Sequence, residues 1–155
     1  MPVDVGFDPD EVDQSAPTRS ARLKWVVVVD GSIAGGRAMN AAICVAAATA
    51  VEVRGLLGAR ATDGDGQTHA GLPWAGCTVL TADSETLIRI RAKANERPDI
   101  FVADMPEAAQ ATRVYDEYLA AVASNPAAEI APLALSLVGP RSRVDRIVGS
   151  LPLLP

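Results

Sequence analysis

Aromatic side chains are scarce, with two Trp, two Tyr and two Phe among 155 residues. That leaves few of the stacking platforms on which single-strand nucleic-acid binders rely. Cationic excess is missing too: 14 Lys and Arg face 19 Asp and Glu, a net charge of −5, which argues against a general nucleic-acid binder. Two cysteines, Cys44 and Cys77, make no disulfide framework and suit a reducing compartment. No apolar run reaches the roughly 20 residues of a membrane span. The N-terminus has neither the basic start nor the apolar stretch of a signal peptide. The expectation is a cytoplasmic protein with no membrane partner. Histidine occurs once, as His69, so proton transfer near neutral pH has one obvious candidate.

What is present is unevenly placed. Asp4, Asp8, Asp10, Glu11 and Asp13 put five of the acids within residues 1–15, where no Lys or Arg occurs. The remaining 14 acids and 14 bases balance. With Pro2, Pro9 and Pro17 and no periodicity, residues 1–20 read as a disordered acidic leader. Residues 21–155 read as a single domain, long enough to bury a core of its own. Alanine occurs 28 times, so that core is built from Ala, Val, Ile and Leu.

Trp25–Asp30 is an unbroken β-branched run, the pattern of a strand buried on both faces. A glycine-marked turn, Gly31 to Gly36, leads into a helix over 37–50 whose inner face is expected to carry Met39, Ile43, Ala46, Ala47 and Ala50. Residues 51–76 are irregular, with a hairpin signal at Asp63-Gly64-Asp65-Gly66. A second strand spans 77–82, and Asp83 or Ser84 caps a helix to about Asn95. A third strand covers 100–103 and a long helix 105–123. A fourth strand covers 133–138, and Gly139-Pro140 opens a last helix that Gly149 ends. Alternating strands and helices predict an α/β protein with a small sheet covered on both faces.

Between the first strand and the first helix, Gly31, Gly35, Gly36 and Arg37 sit where backbone N–H groups attract anions. Arg37 in place of Lys and Ala38 in place of a hydroxyl spoil the triphosphate-binding pattern. The turn therefore reads as one that positions Arg37 at a helix start. Asp104, after the third strand, is either a site acid or a helix cap paired with Glu107. Cys44 and Cys77 read as packed thiols. Arg89, Lys93 and Arg97 recur on one helix, and Arg141, Arg143 and Arg146 on another. Each set is either a solvated face or a phosphate-contacting stripe.

The order of these elements resembles the type II peptidyl-tRNA hydrolases. The resemblance rests on Trp25–Asp30 through Gly36-Arg37 and the alanine-rich helix, on Val79–Glu85, and on Leu137–Pro140 with Leu151–Leu154. The chain is more similar to an uncharacterised sister family sharing that fold, through Asp63–Gly66, Leu72-Pro73 and Gly139-Pro140-Arg141 over roughly residues 23–154. The resemblance implies a three-layer α/β/α sandwich around a mixed four-stranded sheet. It also implies departures from hydrolase chemistry. Gly36-Arg37 stands for a Gly-Lys pair, Ala41 and Cys44 stand where the hydrolases carry Gln and His, and Asp104 keeps their acid without the residues that follow it.

The resulting expectation is a relative of these hydrolases that lacks their usual side chains and binds a small anionic ligand near Gly31, Gly35 and Gly36. Arg37, Asp104 and His69 are its candidate active residues. No metal or other cofactor is expected. The alternatives are a hydrolase of peptidyl-tRNA or a related ester, with tRNA as partner, and a homodimeric interaction module.

Overall fold

The structure is a computed structural model and describes residues 4–155. Its centre is β1 (Leu23–Asp30), apolar from Trp25 to Val29 between Lys24 and Asp30. The chain then forms α1 (Gly35–Glu52), a small hairpin of β2 (Ala61–Thr62) and β3 (Thr68–His69), then β4 (Thr78–Ala82) and α2 (Ser84–Asn95). It continues through β5 (Phe101–Pro106), α3 (Ala108–Ala111), α4 (Tyr115–Ala123), β6 (Pro132–Pro140) and α5 (Arg141–Val148). The main sheet has the order β4-β1-β6-β5. β1 pairs parallel with β4 and antiparallel with β6, and β6 pairs antiparallel with β5, so the sheet is mixed. The protein is thus a mixed α/β fold with a four-stranded mixed sheet and five α-helices among the described residues.

Period-two alternation sorts β1 between two apolar clusters. Trp25, Val27 and Val29 pack with Ala41 and Val45 of α1. Val26 and Val28 pack with Leu87, Ile90 and Ala94 of α2 and with Val144 and Val148 of α5. One polar group on β6 is satisfied internally: Ser136 accepts from Trp25 Nε1 at 2.8 Å and shares a 2.6 Å bond with the Thr49 hydroxyl. Asp83 caps α2 by accepting from Thr86 N at 2.7 Å, as its position suggested. Gly149 ends α5 with φ +58°, a conformation that suits glycine.

Three sequence expectations need correction. The inner face of α1 carries Ala38, Ala41, Val45 and Thr49, whereas Met39 and Ile43 are 57% and 59% exposed. An alanine-rich helix has little hydropathy contrast around its girth, so its phase is hard to read from spacing. The long helix over 105–123 is instead the end of β5 followed by two helices. Thr112 and Val114 between them are extended, and the Thr112 hydroxyl closes α3 by donating to Ala108 O at 2.8 Å.

The third correction concerns the acidic leader, whose residues 1–3 lie outside the described residues. From Asp4 onward it packs on the domain. Val5 and Phe7 are buried, and Phe7 lies against Trp74 with ring centroids 4.7 Å apart. Phe7 N donates to Arg54 O, and Gly6 lies so close that a Cβ there would sit 2.7 Å from Arg54 Cβ. The acids find arginines: Arg22 bonds Glu11 and Gly6 O, and Arg54 pairs with Asp4 and Asp8. Composition pointed to disorder because those partners lie 11 to 50 residues away in sequence.

Candidate functional site

At the sheet edge formed by β5, the α3–α4 arm packs beside α1, with Ala109 in the same apolar cluster as Ala41, Val45 and Met105. The arm buries no residue of α4 and is held at its two ends. At one end, Gln110 accepts from Arg37 Nε at 2.9 Å and donates to Arg37 O and Asn40 Oδ1. At the other, Arg91 reaches from α2 to donate to Ala127 O and Ile130 O, just before β6. The space left between α1, β5 and the arm is a cleft of about 580 Å³.

Its walls are mainly apolar. Val45 and Ala48 come from α1, Met105 from β5, and Val114, Tyr115 and Tyr118 from the arm. Tyr115 and Tyr118 meet edge to face at 5.3 Å. A few polar groups converge on this lining: Asp104, Cys44, Arg113 and the Tyr118 hydroxyl. That combination is typical of small-molecule sites. Burial, and then the nearby Asp104 carboxylate, push the Tyr118 phenol above its ordinary pKa, so it stays protonated and can donate. Arg113 makes no hydrogen bond or ion pair among the described residues.

Asp104 lies within β5, so it is not the helix cap offered as one reading of it. Its carboxylate accepts from Arg91 Nη1 at 2.9 Å, and the Arg91 side chain is only 9% exposed. A buried guanidinium with one carboxylate and two carbonyl partners is a structural clamp first.

Arg37 is exposed and engaged, by Gln110 and by Glu107 at 3.7 Å. Gly35 and Gly36 open α1 with free space where a Cβ would stand, and Ala34 before them provides no capping side chain. Gly31 is needed for packing, because a side chain there would collide with the Thr81 hydroxyl. His69 sits elsewhere, on the small hairpin, where its Nε2 lies 3.0 Å from Asp63 Oδ2. That contact, with backbone N–H donors from Gln67 and Asp65, holds the Asp63 carboxyl below the usual carboxylate range. No hydrogen bond or ion pair joins Arg37, Asp104 and His69. Among the described residues no three metal-ligating side chains come together.

Cys44 and Cys77 are both exposed, contrary to the packed reading, and Cys44 is a wall of the cleft. Sequence reasoning missed Arg91, Arg113 and Tyr118. Arg91 had a signal, since it interrupts the inner stripe of Leu87, Ile90 and Ala94. A charge on an apolar stripe implies a buried partner. Arg113 and Tyr118 had none, because the single long helix assigned to them hid the break that forms the cleft.

A family model described as "Protein of unknown function (DUF2000)" matches residues 23–155, including every element of the sheet and cleft. The chain belongs to the DUF2000 family. A solved structure of similar fold is a protein of unknown function, Atu0240, from Agrobacterium tumefaciens strain C58. It superimposes with a TM-score of 0.77 at 20% identity, over 86% of this chain and 98% of that one. At that identity the likeness concerns the fold. No curated protein matches the sequence. Neither the family description nor the solved neighbour carries an assigned activity. No helix among the described residues is long and apolar enough to cross a membrane.

Proposed function

We propose that this DUF2000 protein is a binding module for a small amphipathic anion, held in the cleft between α1, β5 and the α3–α4 arm. Its architecture is read as a three-layer α/β/α sandwich of the peptidyl-tRNA hydrolase II kind, with the usual hydrolase side chains replaced. The observation that carries the reading is an apolar cleft of about 580 Å³ with Arg113 unpaired at its wall. An apolar ligand body would lie against Met105, Val114 and Tyr118, and an anionic end would meet Arg113. The glycine turn takes a supporting part, because Arg37 and Asn40 hold Gln110 and so set the position of α3.

Thermal shift with a panel of aryl and alkyl carboxylates tests the proposal, because a true ligand raises the melting temperature by mass action. At least one member is expected to stabilise the protein by several degrees. The shift should be lost in Ala48→Trp, which fills the cleft, and weakened in Arg113→Gln. No shift with any member, or equal shifts in both variants, would overturn it. Hydrolysis of a peptidyl-tRNA-type ester is less well supported, because Asp104 is engaged by Arg91 and His69 lies on the hairpin.

A second reading, assembly as a homodimer, has one specific observation behind it. Met39, Ile43 and Val51 lie on the outer face of α1 and are 57%, 59% and 83% exposed. No charged residue occurs between Arg37 and Glu52. Such a face meets its own copy without like-charge repulsion, and exposed apolar patches mark association surfaces. Light scattering is expected to give a dimer mass for the natural protein and a monomer mass for Ile43→Glu. A monomer in both cases removes this reading.

A further inference from the structure

A second cleft, of about 360 Å³, lies at the opposite end of β1. Its chemistry differs from that of the apolar one. Thr18 and Arg19 enter from the turn before β1, Lys24 from β1 itself, Thr78 from the start of β4, and Arg141 from the first position of α5. Three cationic residues and two threonines therefore line one small space.

The charges there are only partly compensated. Lys24 pairs with Asp145 at 2.5 Å. Arg141 donates to a neutral acceptor, Ala21 O, at 3.3 Å and has no carboxylate partner among the described residues. Arg19 makes no hydrogen bond or ion pair among the described residues. Two guanidinium groups thus remain available in a concave polar site, where Arg recognises tetrahedral oxyanions through paired N–H donors. The first turn of α5 adds to the field, since Pro140 before it offers no capping side chain.

We infer that this cleft binds a phosphate group, with Arg19 and Arg141 as its charge partners and the Thr18 and Thr78 hydroxyls as further donors. Arginine and hydroxyl donors recognise the phosphate itself. Free phosphate and a phosphorylated small molecule share that chemistry.

Calorimetric titration of the full chain with inorganic phosphate and with phenyl phosphate, at constant ionic strength, tests the inference. Saturable binding at one site per chain is expected with at least one of them. Affinity should fall at least tenfold in Arg19→Gln and in the Arg19→Gln, Arg141→Gln double variant. Arg19 is exposed and unpaired, so its single variant keeps the fold and isolates the binding effect. Arg113→Gln, in the other cleft, should leave phosphate affinity unchanged, which separates this site from the carboxylate site proposed above. Tighter binding of phenyl phosphate points to a phosphorylated small molecule; equal affinities point to free phosphate. Absence of saturable binding by either probe, or binding that survives both arginine substitutions, overturns the inference.

Discussion

Replacing Arg91 by Ala is expected to cost roughly 1.5–3 kcal/mol of stability, because it removes a buried guanidinium and leaves its half-buried acceptors without their charged donor. The Asp104 carboxylate would lose its cation, and the carbonyls of Ala127 and Ile130 would lose their donor. Those carbonyls lie where the chain returns from α4 to β6, so the arm should loosen along with the global loss. Asp104→Asn should cost less, about 1–2 kcal/mol, because Arg91 keeps its two carbonyl acceptors and the amide oxygen can still accept. Urea unfolding measures both, and hydrogen exchange over residues 108–130 reports the loosening. An Arg91→Ala protein within about 0.5 kcal/mol of the natural one, the range of an ordinary surface change, would show that Arg91 is not the clamp described here.

Phe7→Ala is the second large effect, expected to cost about 3–5 kcal/mol as a buried aromatic truncation. Phe7 is 2% exposed and packs on Trp74, so its loss opens a void beneath a segment that composition marks as unstructured. Removal of residues 1–20 should be worse, since Val5 goes with it and Arg54 and Arg22 lose their acids. Acid should act on the same contact. Arg22 and the backbone N–H of Asp8 hold the Glu11 carboxyl down to about 2, from an ordinary value of 4.5. A depressed carboxyl pKa stabilises the fold above its unfolded value, and that stabilisation is lost as pH falls from about 4.5 through about 2. Glu11→Gln should therefore flatten the stability profile in that window, measured by unfolding at successive pH values. A profile identical to that of the natural protein would mean that the Arg22–Glu11 pair contributes nothing.

Strands were the most legible elements. Trp25–Asp30 could be read as a doubly buried strand from its β-branched run, and β4, β5 and β6 lay within a few residues of their expected places. Caps were equally local: Asp83 before α2 and Gly149 after α5 act through neighbours in the chain. The candidate site was much less legible. Gly35, Gly36 and Arg37 do open α1, yet Arg37 is tied to Gln110 and Glu107, 73 and 70 residues further along the chain. His69 and Asp63 pair within one hairpin, six residues apart, and so form a local contact remote from Asp104.

The sequence by itself determined the alternation of strand and helix and the signals that end the helices, because those follow from periodicity and local capping. It also determined that aromatic residues would be too few to be spread widely. Only the tertiary structure decided where they went. Phe7 and Trp74 seal the leader onto the domain, and Tyr115 and Tyr118 line the cleft. The fate of the leader's charge was decided there as well. Ion pairs and aromatic contacts between distant segments depend on which elements the sheet order brings together, and no local pattern in an alanine-rich chain encodes that.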